Sequence, residues 1–349
     1  MNKYVIEGGI PIKGRVVASG NKNAALPCIA ATLLASEPVI LRNIPDIEDV
    51  QVMFDVLGHL GAKVEALGSH EWRIDTRAVE AWTIPFEAAK KIRASILFAG
   101  PLLARFGKVT TPPPGGDVIG RRRIDTHVLA FEELGARLEI DHELKFTANK
   151  LVGADIFLDE ASVTGTENAL MVAVRAEGRT VIRNAASEPH VQDLCLLLAA
   201  MGAKIGGIGS NVLVIDGVER LGGADFSIGP DFMEVGSFIG LTAVTRGELT
   251  IEGIRPEDLR PLKVAFGRLG ISWRVEGSEL FVPSGQQIHD TFNEIQIFAL
   301  RSTAHLIDLD LARDLLYLRV VGHRVGLQAG VGYHLHPLVV PASPGPESR

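Results

Sequence analysis

One phrase recurs four times in this chain: LGHLGAKVE at 57–65, FEELGARLE at 131–139, LAAMGAKIG at 198–206 and FGRLGISWR at 266–274. In each copy a glycine follows an apolar helical stretch, at the point where a helix end favours a left-handed residue. The segment after the glycine alternates with the period of a half-buried hairpin. Each copy therefore predicts the end of a helix and the start of a β-hairpin.

A second phrase precedes each copy and consists of an apolar helix, a glycine or polar break, and a β-branched strand. Its copies are AALPCIAATLLASEPVILRNI, SILFAGPLLARFGKVTTP, NALMVAVRAEGRTVIRNA and GSFIGLTAVTRGELTIEGI. The repeated unit is helix, strand, helix, strand, strand, and four units fit between residues 20 and 285. The helices of one unit cannot cover the sheet of that unit, so several units must pack around a shared core. This predicts an α/β repeat architecture, and the alternative is an ordinary α/β sandwich with chance similarity.

After residue 285 the phrase does not return. This segment holds five of the ten histidines and closes in a tail rich in Pro, Ser and Gly. Such a tail is typical of disorder. The shift in composition predicts a chain that has left its repeat.

Composition bounds the class of protein. A chain of 349 residues that is 46% hydrophobic has the size of two domains. The net charge of −7 argues against nucleic acid as a partner, and no apolar run is long enough to span a membrane. Cys28 and Cys195 lie in apolar helical stretches, which indicates buried thiols in a reducing compartment and neither a disulfide nor a metal site. We expect a cytoplasmic protein.

Two candidate anion-binding clusters precede apolar helices. In SGNKNAALP, Lys22 and Asn23 stand just before a helix, where backbone N–H groups and a lysine favour an anion. In KKIRASI, Arg93 takes the equivalent position of the next unit. The alternatives are a solvated lysine beside an Asn cap and an ordinary charge at a helix end.

A third cluster is the Pro/Gly loop PPPGGDVIGRRRIDTH at 112–127, with Asp117 near its tip and three arginines behind it. Adjacent arginines repel one another unless an anion or acidic neighbours offset the charge. A loop of this length commonly closes over a ligand. The alternative is a solvated run of charge.

Carboxylates at turns form the fourth cluster. Glu188, Asp231 and Glu234 lie in SEPHVQD and GPDFMEVGS, and a polar turn, ASVTGTEN, lies at 161–168. These carboxylates are suited to orient sugar hydroxyls or a lysine. Helix capping is the alternative.

Together these phrases resemble the UDP-N-acetylglucosamine 1-carboxyvinyltransferase family, sister to the 5-enolpyruvylshikimate-3-phosphate synthases. GNKNAALP, IRASI, PGG-x-xIG-x-R, the ASV turn and PD-x-x-E-x-G recur in order between residues 1 and about 285. The resemblance implies an inside-out α/β barrel fold in two domains, with ligands in the cleft between them. One domain would span 22–229, and the other 1–21 with 230–349.

The resemblance implies transfer of enolpyruvyl from phosphoenolpyruvate to the 3-hydroxyl of UDP-N-acetylglucosamine, with release of phosphate and no cofactor. Lys22, Arg93 and Arg122 would hold the anionic groups, and Asn23 would position the intermediate. Glu188 and Asp231 are further candidates for substrate binding. The nucleotide pocket would be lined by Arg122, Arg123, Ile124, Asp125, Thr126, Ser162 and Val163.

The chain departs from the family pattern at two turns. Asp117 stands where many members have a cysteine that assists protonation of the methylene carbon, and a carboxylic acid with a raised pKa is able to donate that proton. A carboxylate is the poorer nucleophile, so the substitution implies insensitivity to fosfomycin. Thr164 replaces a usual glycine, and we expect its β-branched side chain to disturb the sugar contacts.

The third departure is the segment after about residue 285. The family's Pro-Thr-Asp turn, whose aspartate is the candidate base, is absent, and Asp308 lies near the corresponding place without matching neighbours. We therefore expect an incomplete first domain, as a frame change or a degraded gene produces. The alternatives to the enzyme are a non-catalytic UDP-N-acetylglucosamine-binding relative, a product without function, and the shikimate-pathway sister enzyme.

Overall fold

The computed structural model describes residues 9–115 and 124–288. Short 3-10 helices lie at Thr32–Leu34, Arg93–Phe98 and Pro256–Leu259. The α-helices of the described chain are α1 (Lys22–Ala31), α2 (Glu48–Leu60), α3 (Phe86–Ala89), α4 (Ala99–Phe106), α5 (Asp125–Glu133), α6 (Val163–Ala173), α7 (Pro189–Ala200), α8 (Phe232–Val244) and α9 (Arg260–Arg268).

The strands alternate with these helices. They are β1 (Lys13–Val17), β2 (Val39–Arg42), β3 (Lys63–Gly68), β4 (Glu71–Asp75), β5 (Lys108–Thr111), β6 (Arg137–Ile140), β7 (Leu144–Thr147), β8 (Asp155–Phe157), β9 (Arg179–Arg183), β10 (Lys204–Gly206), β11 (Val212–Asp216), β12 (Asp225–Ser227), β13 (Glu248–Glu252), β14 (Arg274–Glu276) and β15 (Glu279–Val282).

The predicted repeat is confirmed between residues 20 and 285. Unit A is α1-β2-α2-β3-β4, and unit B starts with the 3-10 helix Arg93–Phe98 and continues α4-β5-α5-β6-β7. Unit C is α6-β9-α7-β10-β11, and unit D is α8-β13-α9-β14-β15. In each unit the last two strands form the predicted antiparallel hairpin.

The repeated glycine has the backbone conformation that its position predicts. Gly61, Gly135, Gly202 and Gly270 have φ angles of 102°, 97°, 106° and 78°. Residues with a Cβ rarely adopt this left-handed region, whereas glycine enters it without steric cost. Each glycine therefore ends the second helix of its unit and turns the chain into the hairpin.

Each unit supplies three strands to its sheet. In units A, C and D a strand from outside the unit's repeat pairs in parallel with the first of them, whereas unit B has an isolated parallel bridge between Thr83 and Thr110. In unit C the added strand is β8, which directly precedes the unit. Units A and D exchange theirs: β12, which precedes unit D, pairs with β2, and β1, which precedes unit A, pairs with β13. The four sheets are separate in hydrogen bonding over the described residues.

The two connections that make this exchange run side by side. Gly20 and Pro230 form an antiparallel bridge, flanked by hydrogen bonds from Asn21 N–H to the Gly229 carbonyl (2.9 Å) and from Asp231 N–H to the Ser19 carbonyl (2.8 Å). We call these paired segments, 18–21 and 228–231, the crossing. The chain passes here from one part of the molecule to the other and back.

Two hydrophobic cores lie on either side of the crossing. The large core joins buried residues between Ala24 and Ile228, and the small core joins Ala18 with residues between 232 and 282. In the large core α1 and α6 are buried on nearly every side, while the sheets expose one face, so helices lie inside and sheets outside. The domain division at 22–229 remains a prediction, and the crossing and the paired cores support it.

The apolar character of these helices is that of a protein interior. Along the described chain no helix combines the length and hydropathy that a membrane crossing requires. Cys28 and Cys195 are both buried, unpaired thiols inside the large core.

Candidate functional site

The inner helices of units A, B and C, which are α1, α4 and α6, point in one direction. Residues that follow α1, end α4 and follow α6, including Leu33, Arg105 and Arg175, line a single pocket of about 330 Å³. The C-terminal ends of the three helices therefore meet at one end of the large core. Their N-terminal ends lie together at the opposite end, which we call the helix-start face.

The arginines of that pocket have a structural role. Arg105 donates to the carbonyls of Leu33 (2.9 Å) and Val79 (3.1 Å), and Arg175 donates to the carbonyl of Val218 (3.3 Å). The Leu33 carbonyl belongs to the 3-10 helix that follows α1, whereas those of Val79 and Val218 lie in loops. Arg105 and Arg175 therefore tie helix ends to neighbouring backbone.

Every candidate residue that the structure describes lies at a helix start. Lys22 and Asn23 begin α1, Arg93 begins the 3-10 helix of unit B, and Ile124 precedes α5. Asp125 and Thr126 open α5, Ser162 and Val163 open α6, and Glu188 and Asp231 precede α7 and α8. Backbone N–H groups and the positive end of the helix dipole favour anions at such positions. Asp117, Arg122, Arg123 and Asp308 lie outside the described residues.

Lys22 is held by a carboxylate that sequence reasoning missed. Its Nζ lies 3.0 Å from Oδ2 of Asp49, in the first turn of α2, and the Lys22 side chain is 46% exposed. The ammonium group is therefore accessible and oriented. Asp49 gives no signal in the sequence, because an acidic residue in a first helical turn is ordinary.

Asn23 lies where the two cores meet. Its Nδ2 is 3.8 Å from Sδ of Met233, in the first turn of α8. Glu234, in the same turn, accepts hydrogen bonds from the backbone N–H (2.7 Å) and the hydroxyl (3.2 Å) of Ser19. The start of α8 thus closes one side of the helix-start face.

The polar side chains at the starts of α6, α7 and α8 differ in what they do. Asp231 is a cap, because its Oδ1 accepts the N–H groups of Met233 (2.9 Å) and Glu234 (3.2 Å). Ser162 Oγ likewise accepts the N–H of Gly165 (3.2 Å). Glu188 occupies the cap position of α7, and its side chain makes no capping hydrogen bond to that helix. Capping, the alternative weighed for the carboxylates, thus accounts for Asp231.

The two segments expected to line a nucleotide pocket lie in contact. Thr126 Oγ1 donates to Oδ1 of Asp159 (2.7 Å), just before α6. A Cβ on Gly165 would approach Cγ2 of Thr126 to 2.8 Å, so glycine allows the two helix starts to pack this closely. The turn with Thr164 and the start of α5 therefore form one surface.

Electrostatics at this end are mixed. Burial, and next the positive charge of Arg93, lower the pKa of His127 to about 4, so the imidazole is neutral near pH 7. Glu167, one turn into α6, is 1% exposed, and burial together with the neighbouring Glu188 raises its pKa well above the ordinary value. Arg93 thus stands near a buried imidazole that is neutral near pH 7, whereas Lys22 is paired with the carboxylate of Asp49.

The fold and this helix-start geometry define a class of protein. The family model of EPSP synthase (3-phosphoshikimate 1-carboxyvinyltransferase) matches residues 6–312. The fold is similar to that of the enolpyruvyl transferase NikO from Streptomyces tendae (TM-score 0.70, 24% identity, 80% of this chain and 67% of that one). It is also similar to EPSP synthase from Acinetobacter baumannii (TM-score 0.65, 16% identity, 84% of this chain and 69% of that one).

Sequence relatives narrow the class. A UDP-N-acetylglucosamine 1-carboxyvinyltransferase from Treponema denticola is 61% identical over 288 residues, which are 82% of this chain and 68% of the relative. The protein of that name from Bradyrhizobium diazoefficiens is 53% identical over 292 residues, 83% of this chain and 68% of the relative. The chain belongs to the UDP-N-acetylglucosamine 1-carboxyvinyltransferase family, as the sequence motifs predict.

Proposed function

We propose that this protein transfers the enolpyruvyl group of phosphoenolpyruvate to the 3-hydroxyl of UDP-N-acetylglucosamine and releases phosphate. This is the first committed step of peptidoglycan synthesis. The observation that carries the proposal is the helix-start face, where Lys22 and Arg93 begin neighbouring inner helices in a protein of net charge −7. Both substrates are anions, and such a face attracts them locally.

The chemistry needs sustained stabilisation of negative charge. Addition of the sugar hydroxyl to C2 of the enolpyruvyl group, with a proton to its methylene carbon, gives a tetrahedral intermediate that keeps phosphate and carboxylate. Loss of phosphate and of a methyl proton then restores the double bond. Lys22 and Arg93, with the N–H groups of their helices, would stabilise this charge throughout, and Asn23 would position the intermediate.

The nucleotide is expected at the neighbouring surface. Ile124, Asp125 and Thr126 would line its pocket together with Ser162 and Val163, because the starts of α5 and α6 form one surface there. Glu188 and Asp231 remain candidates for sugar contacts, although Asp231 already caps α8. Arg122 and Arg123, outside the described residues, would also line this pocket.

The proton-transfer groups are proposed from the resemblance. Asp117 would protonate the methylene carbon, and Asp308 is the candidate base for the sugar hydroxyl. Since Asp117 replaces a thiol, we expect turnover to persist in fosfomycin. The reaction would take place in the cytoplasm, which agrees with two unpaired buried cysteines.

Phosphate release tests the proposal. We expect release that requires both substrates and falls at least about a hundredfold in Lys22→Ala, because one preorganised charge contributes on the order of 3 kcal/mol to catalysis. Lys13→Ala is the matched control, since the Lys13 side chain is 66% exposed and pairs with Glu248 of β13, in the sheet of unit D.

Three other outcomes contradict the proposal. Thermal stabilisation by UDP-N-acetylglucosamine without phosphate release indicates a binding protein. Release with shikimate 3-phosphate as the acceptor indicates the sister enzyme. Full activity of Lys22→Ala would show that Lys22 takes no part in the reaction.

A further inference from the structure

A buried polar chain runs from unit B to the turn that opens α6. Asn168 Oδ1 accepts the N–H of Gly100 (2.9 Å), and its Nδ2 donates to the carbonyl of Ile96 (3.0 Å). The same Nδ2 lies 2.9 Å from Nδ1 of His127, whose Nε2 lies 3.1 Å from Oγ1 of Thr164. Asn168 is fully buried and His127 is 2% exposed.

The hydrogen bonds of Asn168 determine which ring nitrogen of His127 carries the proton. Because the oxygen of Asn168 accepts from Gly100, its nitrogen must donate, and one of its two protons points at Nδ1 of His127. Nδ1 is then an acceptor, and the proton of the neutral ring is on Nε2. Nε2–H therefore donates to the hydroxyl of Thr164.

This bond joins two helix starts that carry the proposed nucleotide pocket. His127 follows Thr126 in the first turn of α5, and Thr164 follows Val163 in the first turn of α6. Thr164 is the residue at which this sequence departs from an expected glycine, and glycine has no hydroxyl to accept the bond. The Thr164 hydroxyl thus has a buried partner in His127.

We propose that His127 is a positioning residue, which through its Nε2–H bond to Thr164 fixes the start of α6 against the start of α5 and so sets the affinity for the nucleotide sugar. The inference rests on the proposed function. His127 itself touches no substrate in this account. A loss of the bond should therefore weaken nucleotide-sugar binding and leave the phosphoenolpyruvate site and the chemical step nearly unchanged.

Thr164→Val and Thr164→Ser test the inference. Valine keeps the shape but removes the acceptor, and leaves Nε2–H of His127 buried without a partner. We expect KM for UDP-N-acetylglucosamine to rise about tenfold in Thr164→Val, with kcat and KM for phosphoenolpyruvate within about twofold. Thr164→Ser, which retains the hydroxyl, should restore KM to within about twofold.

Thr180→Val is the matched control. Thr180 is a fully buried threonine of β9, and its hydroxyl has no hydrogen-bond partner among the described residues. The same substitution there should leave all three kinetic parameters unchanged. Nitrogen NMR of labelled histidine should also show Nε2-protonated His127 in the unsubstituted protein.

The result separates this inference from the proposed function. An unchanged KM for the nucleotide sugar in Thr164→Val overturns the inference while leaving the enzyme intact. An equal loss in kcat and both KM values, or no recovery in Thr164→Ser, also overturns it. If turnover is absent, the proposed activity fails, and calorimetric binding of UDP-N-acetylglucosamine to the same variants still decides the role of His127.

Discussion

Nη1 of Arg255 lies 3.0 Å from Oδ1 of Asp193, and this ion pair joins the two cores beside the crossing. Oδ2 of the same carboxylate accepts the N–H of Gly229 (2.8 Å), in one of the two crossing segments. The Asp193 side chain is only 3% exposed. One buried carboxylate on α7 thus anchors both the connection between the cores and the segment that leads into α9.

Arg255→Ala should destabilise the protein strongly, because it leaves the charge of Asp193 buried without its cation. Removal of one partner of a buried pair costs about 3–5 kcal/mol, and the partial exposure of Arg255 reduces our expectation to about 2 kcal/mol. The midpoint of urea unfolding measures the change. Arg15→Ala is the control, since Arg15 pairs with Glu252 and Glu279 at the surface, where solvent screens ion pairs and their loss costs little stability. Equal losses in the two variants would show that Arg255 has no special role.

Asp258 should make the protein less stable as the pH rises from about 4 to 6. Burial raises the pKa of Asp258 to about 6, against the lowering effect of Arg255 and with smaller raising effects of Asp193 and Glu257. In this window the folded state binds more protons than the unfolded chain, so stability falls with rising pH. Compared with Asp258→Asn, the unsubstituted protein should lose on the order of 2 kcal/mol across the window. Parallel pH profiles of the two proteins in urea unfolding would refute this assignment.

His190 should affect the pH dependence of stability in the opposite direction to Asp258, because it makes the protein less stable as the pH falls. Its ring stacks on Phe232 at 6.3 Å between centroids, and burial lowers its pKa to about 4. The unfolded chain binds a proton at the ordinary value near 6.5, so stability is lost as the pH falls from about 6.5 to 4. His190→Gln should flatten this limb of the thermal stability profile, while His142→Gln, at a 99% exposed side chain, should not. An unchanged limb in His190→Gln would contradict the prediction.

Gly20→Ala should disrupt the crossing. A Cβ at Gly20 would lie 1.6 Å from the carbonyl oxygen of Asn43, whose side chain donates to the Ile228 carbonyl (2.9 Å). Since backbone must move, we expect a loss of about 3 kcal/mol or more. Gly58→Ala is the matched control: it lies inside α2 with nothing within 4 Å, and alanine there should stabilise by about 0.5–1 kcal/mol. Thermal unfolding of both variants measures the contrast, and a tolerated Gly20→Ala would mean that the crossing is pliable.

Local features of the fold were predictable because each depends on residues close in sequence. The glycines at 61, 135, 202 and 270 and the hairpins after them follow from short-range backbone geometry and period. The exchange of β1 and β12 was not predictable, because β12 pairs with a strand more than a hundred residues earlier and nothing in its three residues specifies that partner. The same limit hid Asp49 beside Lys22.

The sequence by itself determined the repeat, the family and the kinds of residue at each helix start, since these depend on pattern and spacing. Only the tertiary structure decided which helix starts share a surface, and that Thr164 has His127 as its partner across 37 positions of chain. It also decided that one aspartate anchors the crossing. The physical reason is that hydrogen bonds and ion pairs act over about 3 Å in space, and a single sequence carries no measure of that distance.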